Sequence, residues 1–304
     1  MSGAEYFDDG FAINAYMDDS VPVDINKAKA EHREIKACFE KAGITVVKVD
    51  APADCQDGVY TANWGLVRGK KVVMSNLPNK RRAEEPYAED MLRAQGKEII
   101  HLPKEFRFSG QGDALPCGNL LFVGSEYRTS VEVHPLLARE LGYEVIGLQT
   151  VPQYDDNQRP VTNPVTGWPD SFFYDIDLAL AIIKGSSKTK CSVCLKATGA
   201  DAVSEQAARC ECQGLIAWCP DAFMPESQER IRALKDVETI EVSLEEAMNG
   251  FACNLVSTGE AVVMSDTAPE LKAALESRGL RVYTPHVTEL LKGGGFIRCT
   301  SLSL

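Results

Sequence analysis

Near its C-terminus the chain reads Gly293-Gly294-Gly295-Phe296-Ile297-Arg298-Cys299-Thr300. Three consecutive glycines let a backbone approach a ligand closely. A cysteine just after them can serve as a thiolate nucleophile, although such a residue, taken alone, is more often a buried structural thiol. A second group is Asp175-Ile176-Asp177. Residues two apart on a strand share a face, so two carboxylates are expected side by side. Both cannot ionise cheaply, and one of them then keeps its proton above the ordinary aspartate value of ~3.9. Cys191-x2-Cys194 and Cys210-x1-Cys212 place four thiols in one stretch. Two tight turns of thiolates suit tetrahedral zinc, but the second pair has one intervening residue where two are usual, and unliganded loop thiols are the commoner outcome. Of the four histidines, His32 and His134 fall within predicted helices and His101 ends a strand, so His286 is the one to test as a proton carrier. Gly110-x-Gly112 lacks the third glycine and the helix start of a dinucleotide fingerprint.

These groups need elements to position them, and the chain repeats one. Val-Val-Met-Ser occurs at 72–75 and again at 262–265, each time after a glycine turn (Gly69, Gly259) and before a helix. Period-2 apolar runs flank a 3.6-period segment that glycine ends. The first unit is expected as strands 58–67 and 71–74, a helix over 84–94 stopped at Gly96, and strand 98–102. Two more have strands 113–115, 120–123 and 144–148 with a helix over 131–141, and strands 172–183, 215–218 and 239–242 with a helix over 225–234. A fourth has strands 253–256, 261–264 and 281–283 with a helix over 269–277. A fifth is split by the chain ends: 296–304 pairs with 11–17, followed by a helix over 25–42, capped by Asp24 and ended by Gly43, and strand 46–49. Five strand-strand-helix-strand units in a ring make an α/β fold, a five-bladed α/β propeller sealed by its termini. It forms one domain over 1–304, with inserted loops at about 152–170 and 185–213. If the first strand of each unit lines the axis, Asn63, Asp113, Asp177, Asn254 and Cys299 gather at the centre.

The surrounding composition excludes several classes. The 304 residues, 44% hydrophobic and 25% charged, suffice for a full core. Lys and Arg number 32 against 44 Asp and Glu, a net charge of -12, and no basic run exceeds Lys80, Arg81 and Arg82. A nucleic acid or an anionic membrane is therefore not the expected partner. The first ten residues carry Glu5, Asp8 and Asp9 and no apolar core of a signal peptide, and no stretch approaches the ~18 apolar residues of a membrane span. A cytoplasmic location is expected, and in it the ten cysteines are expected as thiols more than as disulfides.

Several short segments, in order, resemble the dimethylarginine dimethylaminohydrolase and amidinotransferase family, the pentein fold. They are Ile13-Asn14-Ala15-Tyr16-Met17, Asp57-Gly58-Val59-Tyr60-Thr61-Ala62-Asn63, Arg81-Arg82-Ala83-Glu84-Glu85, Gly110-Gln111-Gly112-Asp113-Ala114-Leu115, Arg128-Thr129, Phe173-Tyr174-Asp175-Ile176-Asp177 and the glycine-rich terminus before Cys299. The resemblance covers nearly the whole chain, and the family's fold is the same five-unit ring. It implies covalent catalysis on a guanidinium carbon with Cys299 in the nucleophile's place. The thiolate adds, an amine leaves, and water hydrolyses the thiouronium or an acceptor amine takes the amidino group. The resemblance sets Asp57 against the cationic end of the substrate. Arg128, with Arg81 as a second candidate, falls on its carboxylate, a bidentate task suited to arginine. Asp177 matches the substrate-binding acid, and Asn63 and Asp113 fall among the binding positions. Three departures stand out. The family's His-x-Asp pair is Asp175-x-Asp177, so Asp175 has to carry the proton; the acid opposing the guanidinium is Asn63; and the acid of the Glu-Gly-x-Gly-Asp run is Ser109. The expected activity is hydrolysis of a C–N bond in an arginine-like guanidine, N-methylated ones included. An arginine dihydrolase-like enzyme, whose relatives also carry Asn at the position of Asn63, or an amidinotransferase is the alternative. An inactive amino-acid-binding relative is the alternative from another class. No cofactor is implied; the partner is a small molecule, arginine or a guanidino or ureido amino acid, and homo-oligomer formation is left open.

Overall fold

The computed structural model describes all residues except Ala15, Asp18, Asp19 and 187–212. Cys191, Cys194, Cys210 and Cys212, and with them the zinc expectation, lie outside the described residues. The fold is α/β. Four three-stranded sheets follow one another along the chain: β1 (Gly65–Arg68), β2 (Lys71–Met74), β3 (Glu98–Ile100); β4 (Ala114–Cys117), β5 (Leu120–Gly124), β6 (Glu144–Leu148); β7 (Leu180–Lys184), β8 (Gly214–Trp218), β9 (Val237–Glu241); and β10 (Val256–Ser257), β11 (Ala261–Val263), β12 (Arg281–Tyr283). In each the first two strands pair antiparallel and the third lies parallel to the second. The parallel step is made through a helix: α2 (Glu84–Ala94), α3 (Val133–Leu141), α4 (Pro225–Arg232) and α6 (Pro269–Glu276), with the short α5 (Leu244–Met248) following β9.

The middle strands are apolar, apart from the exposed Lys71 that opens β2, because both of their faces are covered. Val72, Val73, Leu121, Phe122, Ile216, Ala217 and Val262 are fully buried. Helix α1 (Ile25–Lys41) is set by Asp24, whose side chain accepts from the N–H groups of Asn26 and Lys27. Its buried stripe Ala28, His32, Ile35 and Phe39 has the helical spacing the sequence shows. Gly142, with φ 71°, ends α3 in the left-handed region.

Two expectations need correction. The first strand of each unit begins later than its apolar run. Tight 3-10 turns at Thr61–Trp64, Gly110–Gly112 and Ile176–Leu178 precede β1, β4 and β7, so the central residues sit on turns. The fifth unit has its helix, α1, but none of its strands: the described residues of 11–17, 46–49 and 296–304 form no ladder. Around Cys299 the backbone groups are spent on a turn, Thr300 N–H bonding Phe296 O (3.3 Å) and Ser301 N–H bonding Arg298 O (3.1 Å), and a turn cannot also pair as a strand. Among the described residues no helix is long and apolar enough to cross a membrane.

Candidate active site

Hydrogen bonds lace together five turns from different stretches of the chain. Asn63 Nδ2 donates to Ser109 O (3.0 Å) and Ser109 Oγ (2.9 Å) of the second turn. Asp113 Oδ1 accepts the N–H of Ile176 (2.9 Å) in the third. Asp177 Oδ2 accepts from Cys299 Sγ of the fifth at 3.5 Å, and Asn254 Nδ2 of the fourth donates to the same sulfur at 3.2 Å. Asn254 Oδ1 accepts the N–H of Arg298 (2.9 Å), and Ala62 N–H returns to Cys299 O (3.0 Å). The five residues expected at the axis, Asn63, Asp113, Asp177, Asn254 and Cys299, are the ones that make these links. Gly112 permits the approach: a Cβ there would lie 2.4 Å from Asn63 Nδ2 and 2.7 Å from Asp175 Oδ2.

The electrostatics follow from crowding three carboxylates away from water. Asp113, Asp175 and Asp177 are all at most 2% exposed. Burial pushes Asp113 and Asp177 well above the usual carboxylate range, and the charge of Asp175 pushes both further. Burial also raises Asp175, opposed by the Arg128 charge and by hydrogen bonds from Ser109 Oγ (3.1 Å) and Asn63 Nδ2 (2.8 Å). Oδ1 of Asp175 and Oδ1 of Asp177 are buried with no hydrogen-bond partner among the described residues. The Cys299 thiol, 4% exposed, is raised well above its ordinary value by burial first and Asp177 second.

Cys299, Asp57, Asn63, Arg81, Arg128 and Tyr174 line one small cavity, with Ile13, Asn14, Tyr60, Gly293 and Gly295 completing its wall. It has room for about one water molecule. Asp57 accepts from Gln56 Nε2 (3.0 Å), and burial raises its carboxyl to about 6. Arg128 stacks over Tyr174, 4.7 Å from the ring centroid, and donates to Ile13 O (2.5 Å). Asp177 lies outside this cavity and, with Arg298, lines a separate pocket of about 500 Å³.

Several sequence expectations change here. Arg81 is a poor carboxylate clamp: its guanidinium is bidentate on Glu84 (2.7 and 2.8 Å) and also donates to Asn63 Oδ1 (2.8 Å) and to the carbonyls of Asp57 and Tyr60. Asn63, held by Arg81, Ser109 and Asp175, is a brace for those groups more than a free face for a guanidinium. Asp175 and Asp177 do not share a strand face; Ile176–Leu178 is a turn that sends Asp175 toward Ser109 and Asp177 toward Cys299. His286 is exposed and paired with Asp266 (2.7 Å), His134 bonds Gly124 O (2.9 Å), His101 pairs with Glu89, and His32 is buried in α1, so no histidine lines the cavity. Sequence reasoning overlooked Glu84 and Tyr174 as site residues. The signal for Glu84 was its spacing of three from Arg81.

A family model described as N,N dimethylarginine dimethylhydrolase, eukaryotic, matches residues 8–163, about half of the chain. The chain belongs to that family. It is 27% identical over 312 residues to the bifunctional arginine dihydrolase/ornithine cyclodeaminase ArgZ of Synechocystis sp., covering 99% of this chain; the chain thus spans 37% of that protein's length. It is 28% identical to the N(G),N(G)-dimethylarginine dimethylaminohydrolase of Mycobacterium tuberculosis, covering 100% of this chain and 84% of that one. The solved N-terminal domain of ArgZ, an arginine dihydrolase bound to product, superposes with a TM-score of 0.78 at 25% identity, covering 99% of this chain and 95% of that one.

Proposed function

We propose that this member of the dimethylarginine dimethylhydrolase family is a cysteine-dependent hydrolase of the C–N bond in arginine-like guanidines, built as one ring of five units in which the fifth lacks strands. The observation that carries the reading is the pair of buried, partnerless oxygens, Asp175 Oδ1 and Asp177 Oδ1, on the turn that faces a cysteine at the end of a glycine-rich segment. A buried carboxylate oxygen without a donor from the protein is open to one from a ligand, and a guanidinium supplies up to five N–H groups in one plane. Its positive charge lowers the cost of ionising Asp177 and the thiol, while Asp175, raised by burial, keeps its proton. The Cys299 proton passes to Asp177 Oδ2, the sulfur pair forms the C–S bond, and Asp175 protonates the departing amine as its C–N bond breaks. Asp175 then takes one proton of the water whose oxygen adds to the thiouronium carbon; breaking the C–S bond returns the pair to sulfur, which regains its proton from Asp177 Oδ2, and the released amine carries off the proton of the new hydroxyl. Arg128, with guanidinium donors left over, holds the substrate carboxylate, and Asp57 faces its ammonium group. The small cavity has to widen to admit such a substrate. The relatives' names, arginine dihydrolase and dimethylarginine dimethylaminohydrolase, agree with this class.

The test is to supply arginine and N-methylated arginines and to follow ornithine, citrulline, ammonia and methylamines. Ornithine with ammonia indicates the dihydrolase reaction, citrulline with an amine the simple hydrolysis. Cys299→Ser should abolish either while leaving the melting temperature within about 2 °C, because an oxygen nucleophile needs a dedicated base. Turnover retained in Cys299→Ser removes the cysteine from the mechanism. Saturable arginine binding without turnover in the parent protein favours a binding relative, a reading that the cavity's lack of a histidine supports.

A further inference from the structure

The ring of turns uses one hydrogen bond twice. Asp113 Oδ1 accepts the N–H of Ile176, the residue before Asp177, at 2.9 Å. Asn254 Oδ1 accepts the N–H of Arg298, the residue before Cys299, also at 2.9 Å. The two side chains hold equivalent places and differ in chemistry: a carboxyl group at 113, a carboxamide at 254. The difference falls beside the sulfur. Asn254 is 0% exposed. Its Oδ1 takes the N–H groups of both Arg298 and Cys299 (2.9 and 3.3 Å), so the branch turned to the sulfur must be the NH2. That Nδ2 lies 3.2 Å from Cys299 Sγ and donates to it.

We infer that Asn254 is a catalytic residue whose amide N–H stabilises the Cys299 thiolate while its carbonyl fixes the backbone on which the sulfur stands. The inference rests on the reading of Cys299 as nucleophile. Ionisation sends the thiol proton to Asp177 Oδ2 and leaves the electron pair on sulfur. Formation of the C–S bond uses that pair, and departure of the thiol in the last step restores it. A hydrogen bond donated to the anion favours the thiolate in both steps. The sulfur otherwise faces Asp177, whose charge resists ionisation. An aspartate at 254, the choice made at 113, would keep the backbone bonds and turn an acceptor toward the sulfur.

The experiment is the pH–rate profile for alkylation of Cys299 by iodoacetamide, read by mass spectrometry on the peptide that contains it, in the full chain and in Asn254→Asp and Asn254→Ala. Expected is a profile displaced to higher pH by about one unit or more in Asn254→Asp, a roughly tenfold slower reaction near neutrality that converges with the parent at alkaline pH. Asn254→Ala should show a smaller displacement in the same direction. A merely structural role would change access and scale the rate equally at every pH. Superposable profiles, equal scaling at all pH values, or a parent Cys299 that does not react overturns the inference. Alkylation needs no guanidine turnover, so a parent that reacts as expected yet turns over no guanidine sinks the proposed function and leaves the Asn254 assignment standing.

Discussion

Arg81 and Arg128 are both buried arginines in the wall of one cavity, 5% and 4% exposed, yet they are held in opposite ways. Arg81 makes five hydrogen bonds, two of them to Glu84, which is itself 1% exposed. Arg128 rests on the Tyr174 ring and makes, among the described residues, one hydrogen bond, to the carbonyl of Ile13. A guanidinium whose donors are spent on the protein is part of the frame. One held by stacking keeps donors for a ligand. The contrast separates the part of the cavity wall whose donors are spent on the protein, a frame, from the part that keeps donors free, which under the proposed function reads the substrate.

The largest effect is expected from breaking the frame. Glu84→Gln keeps the shape of the side chain but leaves Arg81 as a buried charge with no hydrogen-bonded carboxylate, a change that costs about 3–5 kcal/mol in comparable buried pairs. Urea unfolding of the parent and the variant measures it. A loss below about 1 kcal/mol would mean that Asn63 and the carbonyls of Asp57 and Tyr60 suffice, and the division into frame and reader would fail.

The same contrast shows what a sequence reveals and what it hides. The four sheets were legible because alternating apolar runs and glycine stops report local geometry directly, as at 71–74 and Gly142. The axial set was legible too, because a repeat carries position from one unit to the next. The turns under Asn63 and Asp177 were hidden, since a buried 3-10 turn and a buried strand have the same apolar flanks. The absent strands of the fifth unit were hidden as well, because a strand end at 296–304 cannot be told from a tight turn around Cys299 without its hydrogen bonds. The roles of Arg81 and Arg128 read alike in sequence; only the partners decide between them. The orientation of the Asn254 amide depends on two backbone N–H groups 44 and 45 residues away.

On the reading side, Arg128→Lys should leave stability within about 1 kcal/mol and raise KM for arginine roughly 10- to 100-fold, because a point charge replaces a fork that matches a carboxylate. Agmatine, the same guanidine without the carboxylate, is the control. Its kcat/KM should change by less than about threefold if Arg128 reads only the carboxylate. Equal losses for both substrates would place Arg128 in the frame beside Arg81 and erase the comparison.

Asp57 joins the two halves: its carbonyl accepts from Arg81 (3.2 Å), while its carboxyl lines the cavity and is bonded by Gln56. Burial raises that carboxyl from 3.8 to about 6, so between these values the folded protein holds a proton that the unfolded chain has released. The stability this group contributes is complete below pH ~4 and is lost as pH rises through about 6, at most about 3 kcal/mol. His32 works against it in the same window. Burial lowers its imidazole from 6.5 to about 4, so its contribution is present above pH ~6.5 and lost as pH falls toward 4. The buried carboxyls of Asp113, Asp175 and Asp177, raised as Asp57 is, add to the same curve, so a difference is needed to read any one group. Asp57→Asn removes the Asp57 slope and keeps the others. The variant should match the parent near pH 4 and exceed it increasingly up to pH 7 in melting temperature, while losing affinity for a cationic ligand at pH 7. Parallel melting curves from pH 4 to 7 would show that Asp57 is charged in the empty cavity, and would move it from the reading half of the site into the frame with Arg81.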